Sequence, residues 1–241
     1  MSTLTPRDRL IVALDFPSAA QALDQVDQLD GQCLWLKVGL ELFLAAGSSI
    51  VTSLRERGFN VFLDLKLHDI PETVDRAVGR ASSLGARMLT VHASGGPAML
   101  RRATERAAKE GAGLQIVAVT VLTSLDWGDL AAIGMEGGVA GSVERLARMA
   151  WAEGVRAFVC SPHEAAALRA ALGPEATLVT PGVRASGGGD DQKRTMSARE
   201  AIHAGASWVV VGRPIRDAAD PLAAARAIAS EVDQARGGSG G

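Results

Sequence analysis

Short β-rich runs recur along this chain at intervals too long for hairpins and right for crossover helices. They are Leu10–Leu14, Leu34–Val38, Phe59–Leu65, Met88–His92, Leu114–Val121, Arg156–Cys160, Thr177–Thr180 and Ser207–Val211. Between them lie Ala-, Leu-, Glu- and Arg-rich stretches with apolar residues at helical spacing, such as Ser18–Leu29, Glu72–Leu84, Pro97–Lys109 and Ser142–Glu153. Strand and helix in alternation imply a parallel sheet covered on both faces, and runs such as Trp208-Val209-Val210-Val211 are apolar throughout, as that burial requires. Eight such units in 241 residues predict an α/β protein, a single (β/α)8 TIM barrel, rather than an open doubly wound sheet. The barrel is expected to span residues 1–236, with 237–241 a flexible Gly/Ser tail.

Composition narrows the partners. With 47% hydrophobic and 22% charged residues the chain is neither disordered nor fibrous. Lys+Arg 25 against Asp+Glu 27 leaves a net charge of -2, with no basic excess for a phosphate backbone or anionic lipid, so no nucleic acid and no membrane partner is expected. No apolar run approaches the length of a membrane span and the first residues lack a signal-peptide core, which predicts a cytoplasmic protein. Cys33 and Cys160 form no CxxC pair and read as reduced structural thiols, with a disulfide or a nucleophile as the alternatives.

In a barrel the active site lies at the carboxyl ends of the strands, so charges there are the informative ones. Asp15 ends the first run, Lys37 the second, and the third ends Asp64-Leu65-Lys66-Leu67-His68-Asp69-Ile70-Pro71. Period-2 geometry points Asp64 and Lys66 to one face and Leu63 and Leu65 to the other. An acid and an amine on the inner face of an apolar strand must pair or be used, because a lone buried charge is very costly. A structural ion pair is one reading. Lys37 and Asp15 at neighbouring ends favour the other, an alternating network that holds an ammonium ready as proton donor.

The seventh run leads into Thr180-Pro181-Gly182-Val183-Arg184 and a stretch from Arg184 to Lys193 read as one long loop; the eighth ends Val211-Gly212-Arg213-Pro214. Loops at these places commonly bind a phosphate; Gly212 permits close backbone approach and Arg213 supplies a bidentate fork, against the alternative of a plain turn with a solvated Arg. Gly187-Gly188-Gly189 is read as a lid over that phosphate. Thr123 and Ser124, after the fifth run, offer hydroxyls to a polar ligand or cap the helix beginning near Asp126. His68, His92, His163 and His203 lack ligand spacing, so no metal site is expected; His92 reads as a structural imidazole at the mouth.

Taken together, these segments resemble the orotidine 5′-phosphate decarboxylase family in its bacterial, monofunctional type, over nearly the whole chain. The most specific element is Asp64-Leu65-Lys66-Leu67-His68-Asp69-Ile70-Pro71, supported by Ala13-Leu14-Asp15, Leu36-Lys37-Val38-Gly39, Val91-His92-Ala93, Val121-Leu122-Thr123-Ser124, Thr180-Pro181-Gly182-Val183-Arg184, Asp191-Gln192 and Val211-Gly212-Arg213-Pro214-Ile215. The resemblance implies decarboxylation of orotidine 5′-phosphate to UMP without metal or organic cofactor. It makes Lys66 the proton donor in an array with Lys37, Asp64 and Asp69, the last reaching across a homodimer. It further implies that Asp15 and Lys37 bind the ribose, Thr123 and Ser124 meet the pyrimidine and Pro181 packs on it. Arg184, Gln192, Gly212 and Arg213 would serve the phosphate, while Ile70 and Thr73 belong to the ligand-contacting segment beside Asp69.

Two rivals remain at this level. Mg²⁺-dependent sugar-phosphate decarboxylases and aldolases of the same barrel superfamily share an Asp-x-Lys-x-x-Asp strand, but carry a metal-binding Glu where this chain has Lys37, whose ammonium repels a divalent cation. The second is a catalytically silent nucleotide-binding barrel, against which stands the presence of Lys37, Asp64, Lys66 and Asp69 together.

Overall fold

The computed structural model of the chain describes residues 5–184 and 196–237. Its centre is a closed barrel of eight parallel strands: β1 (Leu10–Ala13), β2 (Trp35–Gly39), β3 (Asn60–Leu67), β4 (Met88–His92), β5 (Gln115–Val119), β6 (Ala157–Val159), β7 (Thr177–Thr180) and, after the two short strands β8 (Val183–Arg184) and β9 (Met196–Ser197), β10 (Trp208–Val211). Each barrel strand pairs with its neighbour in chain order, and β10 closes against β1 with Leu10 opposite Val209. The predicted (β/α)8 architecture is therefore the observed one.

Alternation along the strands sorts the core into two bodies. Ile11, Ala13, Phe62, Met88, Val117, Ala157, Val179 and Val210 fill the barrel interior, with Trp35, Val159 and Trp208 packed against them. Leu10, Val12, Leu36, Val38, Val61, Leu63, Val209 and Val211 point outward into a larger body shared with the helices. Both faces of the barrel strands are thus largely removed from water, which is why most of them read as apolar runs. Trp35 and Trp208, at the amino ends of β2 and β10, meet edge to face at 6.0 Å and close the base of the interior.

Chain chemistry sets the helix ends. Pro71, Pro97, Pro162 and Pro221 each open a helix, where a fixed φ helps and the missing N–H is not needed. The helix Pro97–Glu110 stops at Gly111, whose φ of 64° lets the chain turn in the left-handed region. The stretch Ser18–Leu29 becomes a helix Ala19–Gln28, with the Ser18 side chain accepting from Gln21 N. The stretch predicted from Ser142 begins earlier, at Gly138.

One expectation is corrected. Arg184 does not begin a loop: Val183 and Arg184 form β8, which pairs in parallel with Met196 and Ser197 of β9. The proposed Gly187–Gly189 lid, Gln192 and most of the terminal tail lie outside the described residues. Among the described residues no helix is long and apolar enough to cross a membrane.

Candidate active site

The site begins with a break in register. Leu63 stands opposite Leu89, and the next paired residue of β3 is Leu67, opposite Val91. Asp64, Leu65 and Lys66 therefore face the single residue Thr90. Lys66 absorbs the surplus by taking a φ of 51°, a left-handed backbone conformation that costs a non-glycine residue about 1 kcal/mol or more. Bulges of this kind re-aim side chains and recur beside active sites. The sequence expectation that Asp64 and Lys66 share a face by simple alternation gives the right neighbours for the wrong reason, since the strand is not regular between them.

Thr90 completes what the ladder cannot. Its hydroxyl accepts from Lys66 N at 2.8 Å and donates to Asp64 Oδ1 at 3.1 Å, and the residue is wholly buried. Around this joint the charges alternate. Lys66 Nζ lies 2.8 Å from Asp64 Oδ1, Lys37 Nζ lies 3.7 Å from Asp64 Oδ2, and Lys37 Nζ donates to Asp15 Oδ1 at 2.9 Å. Asp64 and Lys37 are mostly buried, whereas Asp15 and Lys66 reach solvent. Of the two readings left open by the sequence, an isolated Asp64–Lys66 pair does not describe this arrangement; four charges from β2, β3 and the end of β1 form one network.

Two features crowd that network. Gly39 ends β2 so close to it that a Cβ there would stand 3.0 Å from Lys37 Nζ. Arg216, in the helix Arg213–Arg216, donates to the Asp15 carbonyl at 3.2 Å and so ties the end of β10 to the end of β1.

Beside the network opens a cavity of about 200 Å³. Lys37, Asp64 and Lys66 line one side; Thr123 and Pro181 lie on the other, over an apolar floor that includes Phe62, Val159, Val179 and Val210. Ser124 is exposed and does not line it. Neither hydroxyl caps the next helix. Asp126 does, accepting from Asp129 N at 3.1 Å in a reciprocal capping box, so the alternative reading of Thr123 and Ser124 is corrected.

At the rim beyond β10, a Cβ on Gly212 would stand 3.4 Å from Asp15 Oδ2, placing that backbone against the ribose-end carboxylate of the expected site. Arg213 is exposed and opens its helix, its carbonyl accepting from Asp217 N at 2.9 Å while its side chain joins no ion pair among the described residues. Asp69, Ile70 and Thr73 lie together on an exposed segment after β3, Asp69 accepting from Ile70 N at 2.7 Å. Asp69 joins no ion pair of its own chain among the described residues, so one chain alone brings together Lys37, Asp64 and Lys66 but not the fourth member of the array.

His92, at the end of β4, packs ring against ring with His68 at 5.5 Å. Burial, the neighbouring His68 and the Lys66 ammonium hold it below its ordinary value, against the opposing pull of Asp64. The shift disfavours its imidazolium form. Cys33 and Cys160 are buried and unpaired, and burial pushes both thiols up to about 12.

Sequence reasoning missed Thr90, Arg216 and Leu122, the last of which lines the cavity beside Thr123. Only Thr90 left a signal, as a hydroxyl inside the apolar strand Met88-Leu89-Thr90-Val91.

Comparison with known proteins meets this geometry from outside. The model of the Orotidine 5′-phosphate decarboxylase / HUMPS family matches residues 8–228. An orotidine 5′-phosphate decarboxylase of Anaeromyxobacter dehalogenans is 51% identical over 228 residues, covering 94% of this chain and 99% of the relative. One of Nitrosococcus oceani is 48% identical over 227 residues, covering 94% of this chain and 98% of the relative. The crystal structure of the Lactobacillus acidophilus orotidine 5′-phosphate decarboxylase superposes with a TM-score of 0.83 at 36% identity, over 93% of this chain and 98% of that one.

Proposed function

This chain belongs to the Orotidine 5′-phosphate decarboxylase / HUMPS family, and we propose that it converts orotidine 5′-phosphate to UMP and CO₂, with Lys66 as proton donor. The observation that carries the reading is the Lys66 ammonium, held 2.8 Å from Asp64 at the edge of a cavity with an apolar floor.

Loss of CO₂ from C6 of the pyrimidine leaves a vinylic carbanion with no π-system to absorb the electron pair. Such a centre must be stabilised electrostatically, and fixed charges in a partly dry site do so without reorganising. The Lys66 ammonium faces the developing pair and then transfers a proton to it. Asp64, placed between Lys66 and Lys37, is the negative group set against the departing carboxylate. The neighbouring Lys37–Asp15 pair, 2.9 Å apart, would meet the ribose hydroxyls. Thr123 and Pro181 would meet the base, with the exposed Ser124 reaching it only from outside the cavity lining; Arg184, Gln192, Gly212 and Arg213 would serve the phosphate. No metal or organic cofactor is called upon by this scheme, and the Lys37 ammonium beside Asp64 disfavours the Mg²⁺-dependent alternative.

Residues 1–236 act in this reading as one catalytic unit, working in the cytoplasm as a homodimer in which Asp69, Ile70 and Thr73 of one chain complete the site of the other. What supports the dimer is that Asp69 and Ile70 stand exposed with no role in their own chain's cavity. Mixing Lys66→Ala with Asp69→Ala protein tests it. Random exchange should restore about a quarter of wild-type activity, because half the dimers are mixed and each holds one intact site. No recovery after demonstrated exchange removes the shared site.

The reaction itself is tested by the fall in ultraviolet absorbance when EDTA-treated protein meets orotidine 5′-phosphate, with Lys66→Ala alongside. Conversion by wild type alone is expected. Absence of conversion by folded wild-type protein, followed by turnover of a sugar phosphate once Mg²⁺ is restored, overturns it.

A further inference from the structure

We infer that Thr90 is a positioning residue for the decarboxylation, holding the Lys66 backbone and the Asp64 carboxylate in their reactive geometry from the neighbouring strand. The inference rests on the proposed reaction and concerns a residue that takes no part in the cavity lining.

Three residues of β3 stand where the register of β4 provides one, so the bulge leaves Lys66 N–H without a ladder partner. A buried amide left unpaired is costly, and here a side chain replaces the missing carbonyl: Thr90 Oγ1 accepts from Lys66 N at 2.8 Å. That bond fixes the residue whose φ of 51° is otherwise disfavoured. Because its proton cannot point back at the amide it accepts from, the same hydroxyl is oriented as a donor toward Asp64 Oδ1, at 3.1 Å. Asp64 Oδ1 also receives Lys66 Nζ at 2.8 Å. One hydroxyl thus sets both the carboxylate rotamer and the origin of the side chain that pairs with it. Thr90 is suited to this work because its β-branch leaves few rotamers and the residue is wholly buried.

Thr90→Val keeps the shape and removes the hydroxyl. We expect kcat for orotidine 5′-phosphate to fall about 10- to 100-fold, as small misplacements of reacting groups do. KM and the inhibition constant of the product UMP should stay within about threefold, since the binding contacts are elsewhere. Thr90→Ser, which retains the hydroxyl, should recover kcat to within about threefold of wild type. A merely structural role would weaken UMP binding along with kcat and would not distinguish hydroxyl from methyl.

Should Thr90→Val fail to fold, Thr90→Ser and Thr90→Ala carry the same test, because both lack the methyl and differ only in the hydroxyl. Wild-type kcat in Thr90→Val or in Thr90→Ala, or equal losses in Thr90→Ser and Thr90→Ala, overturns the inference. Wild-type protein assayed in parallel separates this from the function itself: if it does not turn over orotidine 5′-phosphate, the proposed reaction has failed rather than the role of Thr90.

Discussion

On the β1 to β3 side of the barrel mouth, both ammoniums are ion-paired within the chain, Lys37 with Asp15 at 2.9 Å and Lys66 with Asp64 at 2.8 Å. Beside it on the mouth, beyond β10, which closes against β1, Arg213 stands exposed with no ion pair among the described residues. The first group is built: a bulge, a left-handed lysine and a buried hydroxyl hold it before any ligand arrives. The second is, in the proposed reading, the anchor for the phosphate. Charges that must act on a transition state gain from being fixed in advance, whereas a charge that binds a ligand's remote end can be satisfied by the ligand itself. In the proposed reading the contrast puts chemistry on one stretch of the rim and anchoring on the stretch next to it.

That division is open to attack by kinetics. Lys66→Ala should lower kcat at least about 10³-fold in the absorbance assay, through loss of both the proton donor and the charge. Arg213→Ala should lower kcat/KM about 10- to 100-fold, mainly by raising KM, with thermal unfolding nearly unmoved because the side chain is exposed. A kcat loss at constant KM in that variant would erase the difference between the two stretches of rim. Gly39→Ala, whose new methyl would press on Lys37 Nζ from 3.0 Å, should cost activity about fivefold without unfolding the protein, as an overpacked site is displaced rather than abolished. Asp126→Ala, at a helix cap beside neither charge cluster, should lower stability by about 1 kcal/mol in denaturant unfolding and leave kcat alone. Smallest of all, Cys33 and Cys160 should resist a thiol-reactive dye at pH 8 until the chain is unfolded. Both thiols titrate near 12 and therefore stay protonated at that pH.

How much of this was legible follows from what each feature depends on. The eight strands could be read because each is buried on both faces by its own apolar residues, and the helix starts because Pro and Ser act locally. Lys37, Asp64 and Lys66 stood out as charges on apolar strands. The bulge did not, since Asp64-Leu65-Lys66 is a normal alternating tripeptide and only its pairing with β4 shows that two residues are surplus. Arg216 and β8 were hidden for the same reason: their partners, Asp15 and β9, are chosen by the closed barrel and not by neighbouring sequence. Register is a property of two strands at once, and one strand's sequence does not carry it.

The tryptophan pair at the base has a bearing on traffic. Trp35 and Trp208 seal the interior below a floor of Phe62, Val179 and Val210. Among the described residues the barrel is consequently closed at its base and has its doorway at the mouth. Nucleotide and released gas share that doorway, so any residue that narrows the rim delays departure as well as arrival, and turnover can be throttled there without touching the chemistry below.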